Sequence, residues 1–465
     1  MWLLDIFLRQ GVRKMVEIPL KLYVQALLKR AKDAARPMAC LSPQAKTLAL
    51  QAMADGLVDH TQEILEANEK DLAGISKEIG QQAHREASER IRISEETLQL
   101  MTQRLLDLLA FPDPIGEVSR AWMTPDGLQV HTVRAPLGIV AVVSDMGPLV
   151  TAESFGMCLK TNNVCVFRGG TEWLHTNSSL VRCLQQAAAA NGVPEGGLTF
   201  LDRSSPEAAL DMVRYPQYVQ AVITRGSAGL RKGILEQARV PVIGFDGGLC
   251  HVYVDKDVDI PLAQTIAVNA KVQSPTAANA MDTLLVHQGV SRHLLPGLTR
   301  RLLQEYRVTL NGCPKTVSML GVLEMTGHLG IKEAVEADWE KKYQSLTMNI
   351  KVVKDSQEAM DHIAKFAPGH TDTIVTRDYQ LAMQFVREVD SSAVMINAST
   401  RLHGGEQFGL GPEIGSNSTH VHGRGPLILS KLTIEKYMVF GAGQLQQPHP
   451  VPQTYQDAMM LSAKF

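Results

Sequence analysis

Four short apolar runs, Gly138 to Val143, Val164 to Phe167, Ala221 to Thr224 and Val240 to Ile243, are separated by stretches with helical spacing such as Thr176 to Ala190 and Ala228 to Gln237. Strands that are apolar throughout need cover on both faces, and helical crossovers supply it, so this pattern predicts a doubly wound parallel sheet. A second series starts at Cys250 and runs through Leu284-Leu285-Val286, Met348 to Val353, Thr373 to Val375 and Ala393 to Ile396. The expected fold is α/β with two such domains in tandem, parting near Asp255 to Asp259.

The flanks read differently. Leu20, Val24, Leu27 and Leu28 recur at helical spacing, and Ser42-Pro43 is an N-cap followed by a first-turn proline. Beyond Phe111-Pro112-Asp113-Pro114, alternating runs from Glu117 to Val133 flank Pro125-Asp126-Gly127, a hairpin signal, and Leu432 to Gly441 reads as a closing strand. At 465 residues with 45% hydrophobic content the chain has material for more than one core. A net charge of −2 supplies no basic field for nucleic acid or anionic lipid, so a small solute or a protein is the expected partner, with no nucleic acid and no membrane. The 6 cysteines lie far from paired or CxxC spacing, which suits a reducing cytoplasm and argues against a metal site. The apolar run in residues 1–14 is broken by Asp5 and reads as an extension, not a leader.

Glycines cluster at two strand-to-helix junctions, Arg168-Gly169-Gly170 and Arg225-Gly226-Ser227-Ala228-Gly229. Such turns let main-chain amides approach a pyrophosphate at the positive end of a helix, although small residues in a tight turn account for them equally well. A third segment, Gly404 to Gly411 with Phe408 inside it, is glycine-rich enough to read as a ligand-facing loop. His403, His420 and His422 flank it, but in a chain with 14 histidines their proximity alone assigns no acid–base role.

These motifs become specific when taken together. Ile64-Leu-Glu-Ala-Asn-Glu-Lys-Asp-Leu resembles the aldehyde dehydrogenase superfamily. Pro136-Leu-Gly-Ile, Cys158-Leu-Lys160-Thr-Asn-Asn, Arg168-Gly-Gly, Arg225-Gly-Ser-Ala-Gly-Leu, Cys250-His-Val-Tyr-Val-Asp, Val268-Asn-Ala-Lys, Ser391 to Arg401 and Gln407-Phe-Gly-Leu-Gly-Pro-Glu resemble its gamma-glutamyl phosphate reductase family. The resemblance implies a dinucleotide-binding domain from 15–116 and 136–255, a catalytic-type domain at 256–430, and an oligomerisation arm with C-terminal segment from 117–135 and 431–465. It also implies NADP(H) held by Lys160, Arg168, Gly169, Gly170, Arg225, Gly226, Ser227, Gly229 and Phe408. A substrate pocket would include Pro148, Asn397, Ser399, Thr400 and Arg401, and the arm would join a homo-oligomer. The family's reaction is attack by a cysteine thiolate on glutamyl 5-phosphate, loss of phosphate and hydride reduction of the thioester to glutamate 5-semialdehyde, a step toward proline.

Two departures touch that chemistry. The segment matching the family's nucleophile motif reads Asn269-Ala-Lys-Val-Gln-Ser-Pro-Thr-Ala-Ala278-Asn279, placing Ala278 where the cysteine belongs. A methyl side chain cannot form the thioester, and loss of a nucleophile costs several orders of magnitude in rate. Where the family has Glu-x-Arg-Pro, this chain has Asp145-Met146-Gly147-Pro148, so the guanidinium is gone and the Asp145 carboxylate stays. Cys158, Cys250 and Cys313 read as packing or turn residues, not as replacement nucleophiles. The leading expectation is a pseudoenzyme that binds, regulates or supports structure, with an unidentified protein partner open. The rival is an active NADP-dependent oxidoreductase working on an altered substrate without a cysteine.

Overall fold

The computed structural model describes residues 19–75, 81–203, 205–244, 248–322, 331–366, 369–420 and 422–446. The extension expected at 1–14 and the part of the C-terminal segment beyond 446 lie outside them. Helices Leu20–Ala39, Pro43–Asp59, Thr61–Ala73, Gln81–Ile91 and Glu95–Ala110 open the chain. Ser42 caps as expected, its Oγ accepting from Ala45 N at 3.2 Å ahead of Pro43. Leu28, Leu50 and Leu105 from these helices share one core with Val140 to Val143. The close approach needs Gly156 on the helix Leu149–Lys160, where a Cβ would stand 2.6 Å from Leu105.

The hairpin forms from β1 (Val118–Met123) and β2 (Gln129–Pro136), which turn at Gly127 with φ +86°. Next, β3 (Ile139–Ser144), β4 (Val164–Arg168), β5 (Leu198–Phe200), β6 (Ala221–Arg225) and β7 (Val242–Gly244) make a parallel sheet in the order β5-β4-β3-β6-β7. A second parallel sheet contains β8 (Cys250–Val254), β9 (Thr283–His287), β10 (Thr309–Gly312), β11 (Ile331–Glu333), β12 (Thr347–Val353), β13 (Thr371–Val375) and β14 (Ala393–Ile396). Its order is β11-β10-β12-β9-β8-β13-β14.

Domain boundaries differ from the sequence expectation in two places. Because β8 pairs with β9 and β13, the sheets part between Gly244 and Cys250, ahead of Asp255. After the second sheet the chain returns to the first domain through β15 (Glu413–Asn417) and β16 (Gly425–Ile428), whose Ile414 and Leu427 join the first core together with Leu429 and Leu432. Burial of those apolar groups against the first core outweighs their place in the sequence. Finally β17 (Thr433–Phe440) pairs antiparallel with β2 along its whole length, so the arm is the three-stranded sheet β1-β2-β17. Trp122, Met123, Ile434, Tyr437, Val439 and Phe440 are exposed on it. Among the described residues no helix is long and apolar enough to cross a membrane.

Candidate functional site

In the first sheet the chain builds outward from β3 through β4 to β5, then reverses through β6 to β7, which puts the topological switch point between β3 and β6. A crevice at the carboxyl ends of the strands flanking such a point is where α/β sheets hold ligands. Here those ends carry Asp145 and Arg225-Gly226-Ser227. Ser227 N donates to Asp145 Oδ1 at 3.0 Å and to Oδ2 at 3.2 Å, and Ser227 Oγ donates to Oδ2 at 2.5 Å. Asp145 N donates in return to Arg225 O at 3.2 Å. Gly226 has φ +131°, and a Cβ on it would lie 1.5 Å from Asp145 Oδ1. Only glycine lets the carboxylate lie this close.

Ser227 also caps the helix Ala228–Gln237, its Oγ accepting from Leu230 N at 3.3 Å. Gly229 in the first turn has open space where a side chain would be. Arg168 ends β4 beneath the crevice; burial lowers its pKa, and the Asp145 charge opposes that. Gly169 and Gly170 follow it, with Gly170 so close that a Cβ would be 3.2 Å from Trp173 and 3.5 Å from the Asp145 backbone. Gly147 faces Trp173 too, but at 3.8 Å a side chain there is in ordinary contact. Pro148 starts the helix Leu149–Lys160.

Two residues expected at the cofactor, Lys160 and Arg225, find their partners away from Ser227. Lys160 closes its helix of 12 residues, which crosses back to the opposite edge of the sheet about 18 Å away. There its carbonyl accepts from Lys46 Nζ at 3.0 Å, beside a Lys46–Asp113 pair of 2.5 Å. Arg225 interacts electrostatically with Glu153 and Glu413. Burial pushes the Glu153 carboxyl up to about 7, with Arg225 and Arg104 pulling down and Glu413 adding to the rise. Arg104 bridges Glu153 and Glu406, and Gly405 N donates to Glu413 Oε2 at 3.0 Å. The third glycine-rich segment is thereby fastened to the first domain.

Ala278 lies exposed on the turn between the helix Ile260–Val272 and β9, at the amino edge of the second sheet. Its carbonyl accepts from Lys342 Nζ at 2.8 Å and from Cys250 Sγ at 3.4 Å. Lys342 also bonds Ala280 O at 3.1 Å and the buried Asp282 at 2.7 Å. Cys250 is fully buried, and burial, with Asp282 and Asp372 adding to it against Lys342, pushes its thiol up to about 12. Asn279 Nδ2 donates to His403 O at 2.9 Å and Arg401 O at 3.4 Å, while Arg401 Nε donates to Gln273 Oε1 at 2.8 Å. Ser399 Oγ accepts from Arg401 N at 3.3 Å, and Thr400 is buried between them. Ala278, Asn279, Ser399, Thr400 and Arg401 are therefore brought together.

Asn397 is not. It sits at the opposite, carboxyl edge with φ +53°, its amide spent on Thr376 N and Thr376 O at 2.9 Å each. That makes it a strand-end clamp. Of the histidines, His403 is buried and its Nδ1 meets Thr371 Oγ1 at 2.7 Å, with His370 Nδ1 on the same hydroxyl at 2.6 Å. Phe408 stacks on His403 at 5.7 Å between ring centroids. His420 pairs with Asp390, and His422 bonds Lys431 O, both away from Ala278. Cys158 and Cys313 are buried, the latter against Thr316. Sequence reading missed Lys342, Glu153, Thr371 and His370, none of which stands in a local pattern that marks it.

The chain matches the aldehyde dehydrogenase family model over residues 21–316. It is 41% identical over 419 residues to the gamma-glutamyl phosphate reductase of Heliobacterium modesticaldum, covering 90% of this chain and 97% of that one. With the enzyme of the same name from Moorella thermoacetica it is 40% identical over 427 residues, covering 92% and 99%. The crystal structure of gamma-glutamyl phosphate reductase from Thermotoga maritima superposes with a TM-score of 0.86 at 32% identity, covering 91% of this chain and all of that one.

Proposed function

We propose that this chain, which belongs to the gamma-glutamyl phosphate reductase family of the aldehyde dehydrogenase superfamily, acts by binding and has lost the reduction for which its relatives are named. One observation carries the reading: Ala278 stands on the exposed turn that the family motif assigns to the nucleophile. Among the described residues no cysteine beside Ala278 offers a replacement thiolate. Cys250 lies directly beneath, but it is 0% exposed and its thiol is held protonated by burial. Gly147 leaves the turn 145–148 without the guanidinium that the family motif carries there and that could fork onto a carboxylate or phosphate.

A nicotinamide dinucleotide would supply hydride to such a site. Ser227 N–H, the amino end of the helix Ala228–Gln237 and the Arg168 side chain are a donor set suited to its phosphates, although Asp145 uses the Ser227 donors in this structure. The chain's own part is to hold that ligand, NADP(H) in our reading, without turnover. Self-association through the arm fits its exposed apolar row and the outer edges of β1 and β17, which pair with no further strand among the described residues, with a second copy of this chain as the occupant. The 6 free cysteines suit a reducing compartment such as the cytoplasm.

The test is NADP reduction with glutamate 5-semialdehyde and phosphate at high protein concentration, run beside NADP(H) binding by fluorescence, for the unaltered chain and Ala278→Cys. Binding without turnover in the unaltered chain is expected. Turnover there would overturn the reading in favour of a cysteine-independent oxidoreductase. Neither binding nor turnover would leave a structural role.

A further inference from the structure

At the switch point a carboxylate lies against the amino end of a helix. Asp145 reaches across from the end of β3 and takes three hydrogen-bond contacts from Ser227, the residue that caps the helix Ala228–Gln237. The helix N-terminus carries a partial positive charge there, and Arg168 adds a full one whose protonated form the Asp145 charge supports. The contact is too close to be incidental. Gly226, at φ +131°, presents bare backbone where any Cβ would stand 1.5 Å from the Asp145 oxygen, and the return bond from Asp145 N to Arg225 O fixes the carboxylate's own backbone.

We infer that Asp145 is a built-in occupant of the phosphate position, and that a dinucleotide's pyrophosphate binds only by displacing this carboxylate from Ser227 and Arg168. The inference rests on the reading of the crevice as a dinucleotide site and adds what controls it. A ligand phosphate and the Asp145 carboxylate compete for the same N–H and hydroxyl, and two like charges within hydrogen-bond reach of one serine repel. Whatever moves the turn 145–148 away from Ser227 would therefore open the site. Gly147 in that turn carries no side chain of its own to obstruct such a movement, and a Cβ there would only touch Trp173 at 3.8 Å.

Removing the carboxylate tests this. Binding of inorganic pyrophosphate and of NADP(H) is measured by calorimetry for the unaltered full chain, Asp145→Ala and Asp145→Asn. Asparagine keeps an acceptor for Ser227 without the charge, so it guards against a fold lost with alanine, and thermal melts are run on all three. Both variants are expected to bind pyrophosphate roughly ten-fold tighter than the unaltered chain, the size of a local charge effect at a helix terminus. Tighter pyrophosphate binding with no NADP(H) binding by any form upholds the displaced carboxylate and sinks the dinucleotide reading. NADP(H) binding by the unaltered chain with no gain for either probe in either variant does the reverse. Weaker binding in both variants, or no binding of either probe by any form, overturns the inference as well, because the carboxylate would then be a scaffold and not a competitor.

Discussion

Lys342 Nζ donates to the main-chain carbonyl of Ala278 across 2.8 Å. The same ammonium is 2.7 Å from Asp282, whose carboxylate is 1% exposed, so a single side chain positions the turn and neutralises a buried charge. Among the described residues, Lys342→Met leaves Asp282 with hydrogen bonds from the amides of Cys250 and Tyr343 and with the Lys271 charge nearby. Breaking a buried pair from one side costs about 3 kcal/mol. Urea unfolding should show that loss, and amide exchange at 277–280 should accelerate. A loss under ~0.5 kcal/mol, the scale of an exposed pair, would mean that the pair contributes nothing.

Restoring two groups should restore chemistry stepwise. Ala278→Cys places a thiol on an exposed turn, and Gly147→Arg meets only Trp173 at 3.8 Å where its Cβ begins. The double variant is expected to reduce NADP with glutamate 5-semialdehyde at least ~100-fold faster than the unaltered chain, and faster than Ala278→Cys alone. Steady-state rates of the four forms decide it. A double variant no faster than the single one would show that Gly147 is not where the lost cation acted.

Glu153 makes stability depend on pH in an unusual direction. Its folded pKa is raised from 4.5 to about 7, by burial first, so the folded chain binds the extra proton and stability falls as pH rises from about 4.5 to about 7. The shift corresponds to about 3 kcal/mol at most. Glu153→Gln should remove that slope and raise the melting temperature at pH 8. Parallel curves for the variant and the unaltered chain would contradict the assignment.

His403 acts with the opposite sign. Burial, helped by Lys431, lowers its pKa from 6.5 to about 4, so the unfolded chain binds more protons between those values and stability is lost as pH falls through that window. Over the overlapping range Glu153 and His403 offset each other, which is why only single variants expose either. His403→Phe should flatten the acid limb between pH 6.5 and 4, read from melting temperatures.

The arm gives a prediction about mass. Tyr437 is 70% exposed and Val439 51% exposed on a strand that lies at the edge of its sheet among the described residues. Charged substitutions, Tyr437→Glu with Val439→Glu, should shift a larger assembly toward the 50.9 kDa subunit in light scattering, with the two domain cores intact by circular dichroism. A single-subunit mass for the unaltered chain would remove the arm as an oligomer contact.

The elements legible in the sequence were those whose signal is local. Ala228–Gln237 and Ala393–Ile396 have the bounds expected, and Ser42-Pro43 begins a helix, because apolar periodicity and capping chemistry act within a few residues. Leu198–Phe200 and Ile331–Glu333 escaped notice, since 3-residue strands at sheet edges carry too little pattern to stand out. The family motifs likewise placed Ala278, Asn279 and Arg401, which the fold does bring together.

What only the tertiary structure decided are relations between distant segments. Lys160 and Asn397 stand in recognisable motifs, yet a helix and a strand carry them to the sheet edges away from their expected partners. Leu427 lies among second-domain residues in sequence but is buried in the first core. Asp145 was legible as a leftover carboxylate, whereas its hold on Ser227 follows from β3 and β6 being neighbours in the sheet. Periodicity fixes which faces are apolar; pairing across long loops, driven by burial and completed by hydrogen bonds that local sequence does not encode, fixes what those faces and their polar ends meet.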